Sequence, residues 1–185
     1  MIGFEVYQMD KKVTEELASE ILSSIQFMVD AHIHHPKTEK DTVRFWDNKT
    51  PYIIHPTWCA MTLLTETTLP EQLRFEGYQA LLWHDVLEDT TMTELPEGTS
   101  DMVHRYVQEM TFNNFSEEIN NIWSKDKEIQ LFKLYDKTSN LLDGKWMNEN
   151  KWNQYVEFTL QLMENVREEY GELNIVKIAK SIAQT

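Results

Sequence analysis

Apolar side chains recur at helical spacing along most of the chain, beginning near its N-terminus. Between residues 12 and 33 they return every three or four positions, at Val13, Leu17, Ile21, Ile25 and Met28. This period is that of an amphipathic helix with one face turned to a core. Alternation with a period of two is not persuasive, although the short apolar opening before residue 12 leaves a strand open there. We therefore predict an all-α fold.

Proline and glycine divide the rest of the sequence into further helices. Pro51 and Pro70 stand where helices can begin, and Gly144 and Gly171 stand where helices can end. With these boundaries, helices are predicted over residues 51–67, 70–95, 99–111, 126–143, 148–170 and 173–183. The polar segment 34–50 is predicted to be a loop, and the segment TFNNFS a connector.

The composition agrees with one folded domain over residues 1–185. Hydrophobic residues make up 41% of the chain, and 5 glycines and 5 prolines are too few for a low-complexity chain. The formal net charge of −14 argues against binding to nucleic acid or to anionic membranes, because both recruit clusters of Lys and Arg. An acidic chain can still bind a small phosphate ligand through a few local cations or a metal.

The cysteine count and the lack of long apolar stretches limit which cellular compartment is expected. The only cysteine, Cys59, excludes an intrachain disulfide and a cysteine-based zinc site. No stretch approaches the roughly 20 apolar residues of a membrane span. The opening MIGFEVYQMDKK lacks the basic start and apolar centre of a signal peptide. We expect a cytoplasmic protein, and the sequence leaves self-association open.

One predicted helix carries ionisable side chains beside residues suited to a core. Four of them fall within one helical arc of about 140° in LLWHDVLEDTT, residues 81–91: His84, Asp85, Glu88 and Asp89. No Lys or Arg shares this arc, so the carboxylates repel one another unless a cation lies beside them. Imidazole and carboxylate are ligands of hard or borderline divalent metals, although a solvated acidic face is the common alternative.

Two further segments carry polar side chains that could form a site together with those of this helix. PYIIHPTWCAMTLL, residues 51–64, places His55 before a proline in an apolar stretch. LFKLYDKTSNLLD, residues 131–143, carries a polar stripe at helical spacing: Lys133, Asp136, Lys137 and Asn140. On its own such a stripe is typical of a solvated helix face with ion pairs. The combination of the three segments is what indicates a site.

Taken in chain order, these segments resemble the HD-domain metal-dependent phosphohydrolases, and more narrowly the hydrolase module of the RelA/SpoT family. The matching motifs are AHIHHP, PYIIHP, LLWHDVLEDTT and FKLYDKTSN, within residues 25–145. The resemblance implies a single HD-domain helical bundle with about six or seven helices, to which helices over residues 148–183 are added. The implied activity is hydrolysis of the 3′-pyrophosphate of (p)ppGpp to GDP or GTP and pyrophosphate.

The same resemblance assigns roles to individual residues. It implies a divalent ion, manganese, with four ligands: His55, His84, Asp85 and Asp136. Glu88 and Asp89 match the pair that orients the attacking water and handles its proton. Three residues of the last motif match substrate-contacting positions: Lys133, Lys137 and Asn140.

The loop before the PYIIHP motif departs from the family pattern. Counting back from His55 without gaps places Trp46 where the family has its guanine-stacking arginine. Trp46 could stack on a base instead, and Arg44 or Lys49 could supply the positive charge. The departure leaves the metal ligands intact and puts the guanine specificity in question.

Three functions stay open from the sequence. They are (p)ppGpp hydrolysis, HD-type hydrolysis of other nucleotides or deoxynucleotides, and a metal-stabilised regulatory role without turnover. Because the nucleotide substrates are polyanions, we expect five cations to converge near the metal: Arg105, Lys125, Lys127, Lys133 and Lys137. The remaining motif histidines, His32, His34 and His35, are expected to be helix-end or loop residues, and the alternative that one of them assists the site stays open.

Overall fold

The computed structural model describes residues 2–183, with side chains described from residue 15 onward. Within these residues the regular elements are helical, which confirms the predicted all-α class. This part of the chain forms nine α-helices: α1 (Ile2–His34), α2 (Ile54–Leu64), α3 (Glu71–Trp83), α4 (Val86–Asp89), α5 (Asp101–Met110), α6 (Phe115–Asn121), α7 (Lys127–Leu142), α8 (Glu149–Tyr170) and α9 (Asn174–Ala183). The count exceeds six or seven because one predicted helix is divided and one predicted connector is helical.

The first helix begins earlier than its hydrophobic pattern predicts. α1 starts at Ile2 rather than at residue 12, so the strand left open for the N-terminus is wrong. Glu5, Gln8, Met9 and Lys11 in this stretch favour a helix over a strand, which outweighs the short apolar opening. The apolar position predicted at Val13 lies outside the side chains that the structure describes.

The helix predicted over residues 70–95 is divided where its ionisable residues stand. α3 ends at Trp83, and α4 begins at Val86 after two turn residues. Asp85 in this turn has φ −96° and ψ −3°, and Thr90 follows α4 with its hydroxyl donated to the carbonyl of Val86. The prediction that the four ionisable side chains share one continuous helical arc is therefore wrong. His84 and Asp85 lie in the turn, and Glu88 and Asp89 lie on α4.

A short helix stands in the segment predicted to be a connector. α6 begins at Phe115, and Asn114 caps it by accepting a hydrogen bond from the backbone N–H of Glu117. The Glu117 side chain in turn accepts hydrogen bonds from the backbone and side-chain N–H groups of Asn113. The Asn-x-x-Glu spacing was the signal of this helix start, and the connector prediction overlooked it.

α7 is the central helix of the bundle. It packs against α2, α5, α8 and α9, and most of its side chains are buried on every face. Gly77 lets α3 approach it closely, since a Cβ atom at that position would lie 2.5 Å from the ring of Phe132. Lys133, Asp136 and Lys137 of the polar stripe are consequently buried and Asn140 is half-buried, so the stripe is not a solvated face. The single domain over residues 1–185 stays a prediction.

The predicted end of the long C-terminal helix is confirmed. α8 ends at Tyr170 and is followed by Gly171, whose φ of 79° is a positive value that glycine adopts at low cost. α9 begins after three residues and packs on α7 and α8. None of the helices in the described range 2–183 is at once long and apolar enough to cross a membrane.

Candidate metal centre and adjoining cavity

Two histidines from different parts of the fold turn the same ring nitrogen toward one point. His55 lies in the first turn of α2, and its Nδ1 atom lies 2.8 Å from the hydroxyl oxygen of Ser139 on α7. His84 lies in the turn after α3, and its Nδ1 atom lies 2.7 Å from the carbonyl oxygen of Leu81. Because a carbonyl can only accept, Nδ1 of His84 carries a proton, and its Nε2 can offer a lone pair.

Two carboxylates meet these ring nitrogens. The Nε2 atom of His84 lies 3.0 Å from Oδ2 of Asp85 and 3.9 Å from Oδ1 of Asp136. The Nε2 atom of His55 lies 3.4 Å from each of the same two oxygens. Ligand atoms that surround one ion at about 2.1 Å lie roughly 3–4 Å apart, so these contacts have the spacing of a metal site.

The surroundings of the cluster favour a positive charge at its centre. The Nε2 atom of His84 is buried and makes no hydrogen bond within the described part of the chain. Burial lowers the pKa of His84, but Asp85 and Asp136 outweigh it and raise that pKa to about 9. His55, His84 and Asp136 offer ligand atoms within 4.8 Å of one another. A divalent cation would replace the proton that this pKa puts on Nε2 at neutral pH and would balance the carboxylates, so the residues fit a metal.

Neighbouring side chains orient the two carboxylates. Tyr52 donates its hydroxyl to Asp85. Asn140 donates its amide to Asp136 across 2.7 Å and accepts a hydrogen bond from Arg44 across 3.0 Å. Partners of this kind fix the orientation of metal ligands. Asn140 is therefore engaged with a candidate ligand, and its contact with a nucleotide stays a prediction.

Glu88 and Asp89 line a cavity of about 240 Å³ beside the cluster. Burial and then the Asp85 carboxylate raise the pKa of Glu88 to about 7 and the pKa of Asp89 to about 7. A carboxyl group with such a pKa can both take and give a proton at neutral pH, and a nearby divalent cation would lower both values. Their role in proton transfer stays a prediction.

Lys133 and Lys137 line the same cavity but are already paired. The Nζ atom of Lys137 lies 2.7 Å from one oxygen of Glu118, and that of Lys133 lies 3.6 Å from the other. The two Nζ atoms also lie 3.2 Å and 3.1 Å from Oδ2 of Asp136. Glu118, on α6, is buried, and the sequence analysis missed it because a glutamate in a polar segment carries no motif.

The other three cations expected near the metal do not converge there. Arg105 pairs with Asp126 and Glu109, and Lys125 pairs with Glu109. Lys127 is exposed in the first turn of α7. The walls of the cavity contain none of the three cations. This prediction is wrong because acidic neighbours on α5 and before α7 hold two of the cations, and Lys40 and Lys151 line the cavity in place of the predicted three.

An apolar pocket of about 290 Å³ adjoins the polar cavity, and the two share Arg44 and His55 in their walls. Trp46 and Trp58 belong to its lining, and Trp46 is about half exposed. Lys49 is exposed and lies in neither wall. A pocket with aromatic walls next to a polar cavity suits a ligand that joins a flat ring to a charged group.

Arg44 anchors the loop before α2 to the end of α7. Its guanidinium donates to both oxygens of Asp143 and lies 5.4 Å from the centre of the Tyr52 ring. Its backbone N–H donates to the carbonyl of Thr50, which closes the loop on itself. The charge that Arg44 could supply to a substrate is therefore largely offset by Asp143.

The three histidines at the end of α1 have different surroundings. His34 and His35 are exposed, as expected for helix-end residues, and His35 lies 3.7 Å from Asp30. His32 is buried, with its ring centre 4.8 Å from that of Tyr52. Burial lowers the pKa of His32 to about 4, so the ring is neutral at neutral pH. His32 contacts the ring of Tyr52 and does not lie among the candidate metal ligands.

No family model matches the chain, and no curated protein matches it in sequence. The structure is similar to that of a metazoan ortholog of SpoT, which is described as hydrolysing ppGpp and as playing a role in starvation responses. The TM-score is 0.67, the two chains are 21% identical, and the match covers 89% of this chain and 93% of that chain. The likeness confirms the HD-type helical fold that the sequence motifs implied.

Proposed function

We propose that this chain is a metal-dependent phosphohydrolase that acts on nucleotides. The observation that carries the proposal is the meeting of two imidazole nitrogens and two buried carboxylates beside a polar cavity. The residues that would hold the ion are His55, His84, Asp85 and Asp136. When bound, a divalent ion supplies Lewis acidity toward a phosphoryl oxygen and lowers the pKa of water. Manganese and a cytoplasmic setting are proposed from the sequence alone.

The cavity supplies the groups that hydrolysis needs from the protein itself. Glu88 and Asp89 line it and would take a proton from the attacking water and return one to the departing oxygen. Tyr52 and Asn140 keep the two carboxylates oriented through their hydrogen bonds. These groups lie on α4, on α7 and in the turn before α2, and their hydrogen bonds hold the arrangement before a substrate enters.

The first candidate substrate is (p)ppGpp, with its 3′-pyrophosphate released to leave GDP or GTP. Three observations support it. The four sequence motifs resemble those of the alarmone hydrolase module, and the fold is similar to that of a protein described as hydrolysing ppGpp. The polar cavity also adjoins an aromatic pocket that could hold a base.

The second candidate is hydrolysis of another nucleotide or deoxynucleotide. It is favoured by the loop before α2, where Trp46 replaces the arginine of the family pattern and Arg44 is bound to Asp143. It is favoured also by the pairing of Lys133 and Lys137 with carboxylates, which reduces the charge offered to a polyanion. A regulatory protein without turnover is the third.

A product analysis separates these candidates. The manganese-loaded protein is incubated with ppGpp, the common nucleoside triphosphates and deoxynucleotides, and the products are resolved by chromatography. Asp85→Asn is the test variant, because it removes the charge of a candidate ligand while keeping its shape. Asp30→Asn is the matched control, because Asp30 is exposed on α1 beside His35.

The expected result is GDP and pyrophosphate from ppGpp with the wild type and the control, and background turnover with Asp85→Asn. If ppGpp stays intact while a deoxynucleotide is consumed, the second candidate replaces the first. Tight nucleotide binding without any product would contradict both hydrolase proposals and favour the regulatory one.

A further inference from the structure

A carboxylate from α6 lies between the two lysines that face the candidate active site. Glu118 contacts both Lys137 and Lys133 through different oxygens, at 2.7 Å and 3.6 Å. The three side chains are buried and all line the polar cavity. A lysine pair in such a cavity is the arrangement that binds a phosphate group, and here a carboxylate of the protein already lies between the ammonium groups.

The charges of this cluster are balanced before any substrate binds. Two ammonium groups face two carboxylates, those of Glu118 and Asp136. The rings of Phe115 and Tyr155 lie 5.6 Å from the Nζ atom of Lys137 and shield it from water. A phosphate group that enters the cavity therefore meets no net positive charge at the lysine pair, although both lysines line the cavity.

One oxygen of Glu118 is not fully engaged. Its Oε1 atom is buried and makes no hydrogen bond within the described part of the chain. A buried carboxylate that served only to brace the two lysines would be expected to have both oxygens satisfied, because an unsatisfied buried oxygen is costly. The unsatisfied oxygen indicates that the Glu118 carboxylate occupies a position in the cavity from which a ligand can displace it.

We propose that Glu118 determines how much negative charge the site accepts, because its carboxylate occupies the anion position between Lys133 and Lys137. This inference rests on the proposed phosphohydrolase function and, among its candidate substrates, favours the less charged nucleotides of the second candidate over (p)ppGpp. A diphosphate group must displace Glu118 or bind against its charge. A substrate with a single phosphate group meets less repulsion, so Glu118 selects for the less charged nucleotides.

The test measures the binding of inorganic anions to metal-free protein by titration calorimetry. Inorganic pyrophosphate and orthophosphate are each titrated into the wild type, Glu118→Gln and Glu94→Gln. The glutamine keeps the shape of Glu118 and removes its charge. Glu94 is exposed in the loop after α4, so its variant carries the same change in net charge away from the cavity.

Glu118→Gln is expected to bind pyrophosphate roughly tenfold more tightly than the wild type, with a smaller gain for orthophosphate, since the removed repulsion scales with the charge of the ligand. Glu94→Gln is expected to match the wild type. A Glu118→Gln variant that binds pyrophosphate equally or more weakly would overturn the proposal, because Glu118 would then only brace the lysines. An equal gain for both anions would also overturn it.

A second variant covers a loss of folding in the first. If circular dichroism shows that Glu118→Gln is unfolded, Glu118→Asp replaces it, because aspartate keeps the charge but withdraws it from the lysines by one methylene group. A gain in pyrophosphate binding supports the proposal, and no gain overturns it. The assay needs neither metal nor turnover, so its outcome is independent of whether the nucleotide panel shows hydrolysis.

Discussion

The candidate metal centre depends on which nitrogen of each imidazole ring is left without a proton. The Leu81 carbonyl decides this for His84, because it can only accept the Nδ1 proton. For His55 the Ser139 hydroxyl contacts Nδ1 across 2.8 Å, which leaves Nε2 as the nitrogen that faces the carboxylates. Ser139 lies one turn after Asp136 on α7, so the same helix supplies a candidate ligand and the partner that orients another.

Replacement of Ser139 by alanine should therefore weaken metal binding without unfolding the protein. The loss of an orienting partner costs about 10–100-fold in metal affinity at comparable sites, and we expect a decrease in this range for Mn²⁺. Titration calorimetry with Mn²⁺ measures it. Ser23→Ala is the control, since Ser23 is exposed on α1 and donates only to a carbonyl of its own helix. Wild-type affinity in Ser139→Ala would show that His55 needs no such partner.

At the residue scale, the sequence identified the side chains of the candidate metal site but not the hydrogen bonds that orient them. His84 and Asp85 stand in a recognisable dipeptide, and the structure brings them together with His55 and Asp136 as predicted. Tyr52 stands in the PYIIHP motif, but its hydrogen bond to Asp85, 33 positions further along the chain, was not predicted. Such a contact is set by how the helices pack, and no spacing along the chain records it.

A buried carboxylate just after α2 joins three of the helices. Glu66, just after α2, accepts a hydrogen bond from the hydroxyl of Tyr135 on α7 across 3.1 Å. It also accepts hydrogen bonds from the backbone N–H groups of Asn174 and Ile175, across 3.0 Å and 2.9 Å. These N–H groups begin α9 and have no acceptor within their own helix, so one side chain caps α9 and ties it to α2 and α7.

Glu66→Ala should destabilise the fold by about 2–4 kcal/mol, because it leaves two helix N–H groups and a tyrosine hydroxyl without their acceptor. Urea denaturation followed by circular dichroism gives the free energy of unfolding. Glu172→Ala is the control, since it removes a carboxylate near the start of α9 from an exposed position. Equal losses in the two variants would mean that charge near α9, and not the buried hydrogen bonds, accounts for the effect.

At the element scale, periodicity predicted the long helices and failed where side chains override it. The helices α7, α8 and α9 lie close to their predicted ranges because their apolar faces pack on one another. The break between α3 and α4 was missed because the residues on either side of it, Trp83 and Val86, are both buried. Hydrophobic spacing cannot distinguish such a break from a continuous buried helix.

Across the whole molecule, the long-range field and the local charges act differently on an anionic substrate. The formal net charge is −14, and Lys133 and Lys137, the lysines at the centre of the site, are balanced by carboxylates. A nucleotide approaching from solution is therefore repelled by the protein as a whole before it meets the lysines or a metal. Composition predicted the sign of this field, whereas the local balance needed the structure.

The steady-state rate should consequently rise with salt over a range in which most enzymes with anionic substrates slow down. Between about 10 mM and about 150 mM salt the screening length shrinks from about 30 Å to about 8 Å, which removes the distant repulsion and leaves contacts within the cavity. We expect kcat/KM for the best nucleotide to increase about two- to fivefold, with a smaller increase for a nucleotide of lower charge. Stopped assays across a salt series measure both. A decrease with salt would show that cations at the cavity mouth, such as Lys40 and Lys151, govern the encounter instead of the net charge.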